Sequence, residues 1–222
     1  MLASLYRRLI PAGSPIEARF IVFEGKQDLD RQLEQKLRGY LNRQATFIVL
    51  RDQDRADCRS VKRALVARCE RAGRPDTVVR IACRELEAFY LGDLRAVELG
   101  LRVRGLLPKQ NKAKFRDPDR LQSPSLELER LTGKQYQKVA GSRAIAPHLD
   151  LERPGSRSFR HLIKAIRDAA RLVPWPREVV LLWGSLACCG PVGNRHARRL
   201  PIAAQDAILP HTVTVLAGAD VG

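Results

Sequence analysis

Ala45-Thr46-Phe47-Ile48-Val49-Leu50-Arg51-Asp52-Gln53-Asp54 decides how this chain folds. The apolar and β-branched run Ala45–Leu50 has the length and composition of a strand buried on both faces, the kind found inside parallel sheets. It releases two aspartates two positions apart, and an extended backbone would point Asp52 and Asp54 the same way. At the carboxyl end of a strand in an open α/β sheet, that is the edge where ligands bind. Paired carboxylates repel unless a proton or cation lies between them, and hard oxygen donors suit Mg²⁺ or Mn²⁺. The competing reading is a helix cap, with Asp54 or Asp57 accepting from the first turn of the next helix.

On either side of this stretch, strand-like and helix-like periods alternate. Leu2, Leu5, Tyr6 and Leu9 stand at helical spacing and are followed by Pro11, Gly13 and Pro15. Ala18–Phe23 reads as a strand, and Asp28–Tyr40, with Leu29, Leu33 and Leu37 on one face, as a helix stopped near Gly39. A helix from Ala56 to Arg71 and a strand over Thr77–Cys83 come after Leu50. This is the alternation of a parallel sheet with crossover helices, so the fold class expected is α/β. Glu85–Leu94 reads as a helix with Leu86, Phe89 and Tyr90 toward the core and with Glu85 and Glu87 off that face. Leu99–Arg116 reads as loop-rich, and Ser125–Leu131 and Ala165–Leu172 as helices. Past Pro174-Trp175-Pro176 charge thins and no periodic helix is evident, so 166–222 is expected to be a helix end and an irregular extension of a domain spanning 1–165.

Charge narrows the partner. Forty Lys and Arg against 24 Asp and Glu leave 222 residues with a formal charge of +16 and a pI near 10.4. Such an excess favours polyanions through counterion release and steering, with nucleic acid ahead of an anionic membrane surface. Between Leu99 and Arg116 the bases Arg102, Arg104, Lys109, Lys112, Lys114 and Arg116 stand with no acid among them. That run is either a phosphate-contacting segment or a solvated loop. Lys134 and Lys138 flank Tyr136, a basic-aromatic group that either meets a nucleic-acid strand or merely packs.

Other chemistries find little support. Cys58, Cys69, Cys83, Cys188 and Cys189 contain no C-x-x-C pair, which speaks against a disulfide framework or structural zinc and fits a reducing cytoplasm. The four histidines lack metal spacing. The amino terminus has no secretory pattern, and the longest apolar stretch, Val179–Cys189, is too short to span a bilayer.

Several ordered stretches carry a family resemblance: Phe23-Glu24-Gly25-Lys26-Gln27-Asp28-Leu29, Asp52-Gln53-Asp54, and Arg80-Ile81-Ala82-Cys83-Arg84-Glu85-Leu86-Glu87-Ala88-Phe89. Phe115-Arg116-Asp117-Pro118-Asp119, Ala144-Ile145-Ala146-Pro147-His148-Leu149 and Ser156-Arg157-Ser158-Phe159 follow. Over about residues 1–165 the chain resembles domain-of-unknown-function family 4276, a group with a TOPRIM-like fold. The resemblance implies a Mg²⁺-dependent nuclease of the kind that serves as an anti-phage defence effector beside an ATPase partner. It places Asp52 and Asp54 on the TOPRIM Asp-x-Asp, with Glu85 and Glu87 as a second acidic group near the metal, Glu87 among its ligands. The family's order puts a first strand, ending in glutamate, ahead of the first helix. Glu24-Gly25 looks like that Glu-Gly but falls on the second strand, so the chain is expected to lack the catalytic glutamate. The alternative implied is a non-catalytic module of the same fold that binds nucleic acid or protein.

Overall fold

The computed structural model describes residues 1–11, 13–14, 16–171 and 178–184. Strands β1 (Glu17–Phe23), β2 (Thr46–Asp52), β3 (Val78–Ala82) and β4 (Glu178–Gly184) form one all-parallel sheet in the order β1-β4-β2-β3. The fold is α/β, as the alternation predicts.

Side-chain alternation splits the core across the two sheet faces. Phe47, Val49, Val79, Ile81, Val180 and Leu182 face α2 (Lys26–Arg38) and α3 (Cys58–Arg71), where Leu29, Leu33, Leu37, Leu65 and Cys69 fill the layer. Ile48, Leu50, Ala82, Val179 and Leu181 face the other way, toward α1 (Leu2–Leu9) and the helices that follow β3. These are α4 (Glu87–Leu91), α5 (Leu94–Leu101), α6 (Ala113–Arg116), α7 (Pro124–Leu131), α8 (Lys138–Ile145) and α9 (Arg157–Arg171). Phe159 of α9 is buried and stacks on Phe89 at 4.8 Å between ring centroids, so the Ser-Arg-Ser-Phe stretch anchors α9 in the core.

Three expectations change. Residues 99–116 are less irregular than read: α5 runs to Leu101, and α6 turns on buried Phe115. The α9 helix starts at Arg157, two turns ahead of the Ala165 that its apolar period suggested. Most consequentially, the segment expected to be an irregular extension supplies β4, a central strand paired with both β1 and β2. Charge and periodicity miss it because they report on exposed and half-buried segments. A strand buried on both faces has neither, and Val179, Val180, Leu181 and Leu182 are each at most 1% exposed. Trp175 and the Cys188-Cys189 pair lie outside the described residues.

Sequence explains why β4 seats where it does. Glu178 is buried at its start and accepts from Tyr40 Oη at 2.5 Å and Asn42 Nδ2 at 3.2 Å, while pairing with Arg19 of β1. At its end, a Cβ on Gly184 would stand 2.6 Å from Leu29 Cβ and 2.8 Å from the Gly25 carbonyl oxygen. An acid at one end and a missing side chain at the other pin the register. Among the described residues no helix is long and apolar enough to cross a membrane.

Candidate functional site

All four strands being parallel, their carboxyl ends share one edge, where the turns after Phe23, Asp52 and Ala82 meet. The turn from β1 into α2 passes through Gly25 at φ 116° and ψ −179°, backbone open essentially to glycine alone. Asp28, in the first turn of α2, accepts from the Glu24 amide at 3.1 Å and sets the entry angle. Glu24 itself is exposed.

The β2–α3 and β3–α4 turns are stapled together. The Gln53 amide donates to the Ala82 carbonyl at 2.9 Å, and the Asp54 amide to the Arg84 carbonyl at 2.7 Å. In return the Arg84 amide donates to Gln53 Oε1 at 3.2 Å, and its guanidinium to the Asp54 carbonyl at 3.3 Å. Asp54 and Arg84 both hold left-handed backbones, at φ 56° and 60°. Such conformations are uncommon for residues other than glycine and gather where surrounding structure enforces them, often at functional sites. Lys26 Nζ completes the group, 2.8 Å from Asp54 Oδ2.

This geometry revises the acidic cradle. Strand β2 ends at Asp52, and the left-handed turn at Asp54 breaks the alternation that would have aligned the two side chains. Asp52 is 3% exposed on the sheet face it shares with Ile48 and Leu50, where its charge is felt at the Tyr90 hydroxyl. Asp54 faces Lys26. Asp57 takes the cap, accepting from the Ser60 amide at 2.7 Å, and that bond holds its carboxyl below the usual range.

Glu85 and Glu87 lie near each other but have different partners. Glu85 Oε2 accepts from the Ser125 amide at 2.7 Å and so satisfies the first turn of α7, where Ser123 supplies no side-chain cap. Glu87, expected off the core face, lies within it at 6% exposure and accepts from Tyr136 Oη at 2.9 Å. Burial pushes the Glu87 carboxyl up. Tyr136 is thereby a packing residue, buried beside Tyr90. Among the described residues no three His, Cys, Asp or Glu side chains are placed to hold a metal ion. Magnesium takes oxygen donors in near-octahedral geometry. It is usually held by one or two carboxylates with waters completing the octahedron, whereas Asp54, Glu85 and Glu87 here each engage a protein partner.

The basic residues are better placed. Glu98 accepts from the Leu106 and Leu107 amides, which hold its carboxyl below the usual range and fold the segment after α5 back on that helix. Gln110 accepts from the Leu94 amide at 2.7 Å and donates to the Phe115 carbonyl at 3.0 Å. From this braced platform Arg102, Arg104, Lys112 and Arg116 are exposed and form no ion pair among the described residues. Lys109 is half-buried; Lys114 is held by Glu127 at 2.6 Å, and Lys138 is half-buried at the start of α8. Sequence reasoning missed Lys26 and Arg84. The signal was available: each stands just after a predicted strand end, in a stretch read mainly for its acids.

A parallel α/β protein is the class these features define. The chain belongs to the family described as Domain of unknown function (DUF4276), whose model matches residues 4–167. No curated protein and no solved structure matches it.

Proposed function

We propose that the protein binds nucleic acid through the sheet's carboxyl edge and the Arg102–Arg116 platform, as a non-catalytic module. The observation that carries this reading is the stapled turn pair. Asp54 and Arg84 are held in left-handed backbones by reciprocal hydrogen bonds, and Asp54 engages Lys26 through its carboxylate and the Arg84 guanidinium through its backbone carbonyl. The ammonium and the guanidinium are thereby both fixed at the sheet's carboxyl edge. Lys acts there as a point charge and Arg as a fork, the two chemistries that recognise phosphate.

The overall charge of +16 supports the same reading, since phosphate contacts made by Lys and Arg release counterions and dominate affinity. The TOPRIM-like nuclease reading calls for Asp52, Asp54 and a further acid to converge on Mg²⁺. Here Asp54 engages an ammonium, Glu85 a helix terminus and Glu87 a tyrosine hydroxyl.

Fluorescence anisotropy with a labelled oligonucleotide tests the proposal. The protein should bind with affinity that falls steeply as salt rises. Lys26→Gln with Arg84→Gln should lower the salt slope by about 1 for each phosphate no longer neutralised. Binding by the double variant equal to the parent's at every salt concentration would refute the assignment.

A further inference from the structure

We infer that the binding track continues onto the outward face of α3 and that this part of it takes single-stranded nucleic acid. The inference rests on the reading above and deepens it. Arg59, Lys62, Arg63 and Val66 fall at positions i, i+3, i+4 and i+7, one face of α3, about a quarter turn from the buried Leu65 and Cys69, with Val66 half-buried at the margin of the core. Arg59, Lys62 and Arg63 are exposed and make no ion pair among the described residues; Arg63 only donates to Ser60 Oγ at 3.2 Å. Arg55 is exposed too, between the stapled turn and the start of α3, with only the capping Asp57 between it and Arg59.

These cations rim a shallow depression of about 370 Å³. Its floor is Val66 and Ala67, extended by the aliphatic stems of the basic side chains, with Glu70 at the far end. A duplex brings only phosphates and sugars to such a surface, because its bases are stacked inside. A single strand can lay an unstacked base on the apolar floor and against guanidinium planes while its phosphates meet the rim. Apolar floor and cationic rim together therefore favour the single strand.

Full-length chain carrying Arg59→Gln, Lys62→Gln and Arg63→Gln is the test; all three positions are exposed, and circular dichroism checks that the fold is kept. Anisotropy is read with a fluorescein-labelled oligonucleotide of about 20 nucleotides, once single-stranded and once annealed to its complement, a length that spans the site sizes usual for single-strand binders. We expect at least about tenfold weaker single-strand binding and a salt slope lower by roughly 2 when three phosphates go unneutralised, with a smaller effect on the duplex. Equal weakening for both forms overturns the single-strand assignment. A variant that binds like the parent, while the Lys26 and Arg84 double variant is weakened, overturns this inference and leaves the carboxyl-edge reading standing. Absence of binding by the parent overturns both.

Discussion

Glu87 shows how little an acid's sequence neighbourhood says about its task. Two residues from Glu85 in a stretch rich in charge, it nonetheless turns inward, to the Tyr136 hydroxyl and near Lys138, Glu85 and Tyr90. Burial disfavours its ionised form, so its folded-state pKa lies above the unfolded one. A raised acid pKa means that the folded state holds the proton more tightly. The group's contribution is then greatest at acidic pH and fades as pH climbs through the folded-state value. Glu87→Gln keeps an acceptor for Tyr136 and removes the titration. We expect its melting temperature at neutral pH to match or exceed the parent's, and the gap to close as pH is lowered. A variant markedly less stable than the parent at neutral pH would show that the ionised carboxylate stabilises the core. The adjacent readings fared unevenly for a related reason. The Asp57 cap was legible because capping is local. The partners of Asp54 and Glu85 were not, because Lys26 and Ser125 lie 28 and 40 residues away.

Among the elements, β1, β3 and α1, α2, α3 were legible to within a few residues, because each carries a period that its environment imposes, and β2 because its apolar run stands within a strand–helix alternation that continues on both sides. β4 was not. Its sequence, Glu178-Val179-Val180-Leu181-Leu182-Trp183-Gly184, is apolar almost throughout, and that pattern has no period to read. What gives the strand its place is contact made only after folding: Glu178 under Tyr40 and Asn42, Gly184 against Leu29 and the Gly25 carbonyl. The glycine is the sharper test. Adding one methyl group at Gly184 sets it against a backbone oxygen and a packed leucine at the centre of the sheet, and overpacking of this kind costs about 1–3 kcal/mol. Urea denaturation of Gly184→Ala should show destabilisation in that range with an unchanged m-value. A neutral result would mean that β4 does not run beneath the first turn of α2.

For the molecule as a whole, handedness explains the order of the sheet. The β1–α2–β2 and β2–α3–β3 crossovers step one way across the sheet, with both helices on one face. Return steps must then place their helices on the opposite face if each crossover is to be right-handed. The route from β3 to β4 does so through α9, and α1 lies on that same face. Any parallel strand joined to β1 through α1 would therefore belong on the β4 side of β1, in the slot β4 occupies. A permuted chain with residues 176–186 moved ahead of α1 should thus fold, giving the parent's far-ultraviolet spectrum and a single cooperative melt. An unfolded permutant would contradict the slot's equivalence. The overall α/β class followed from alternation alone, whereas the candidate site depended on which turns the sheet order brings side by side.

If the carboxyl edge grips phosphate with Lys26 and Arg84 as a non-catalytic module, divalent metal should be dispensable. Oligonucleotide binding and integrity, followed in parallel with excess Mg²⁺ and with EDTA, decide the matter. We expect binding in EDTA at least as tight as in Mg²⁺, since added divalent ions compete for the phosphates, and an oligonucleotide of unchanged length in both. Cleavage that appears with Mg²⁺ and disappears in Asp52→Asn or Asp54→Asn would contradict it.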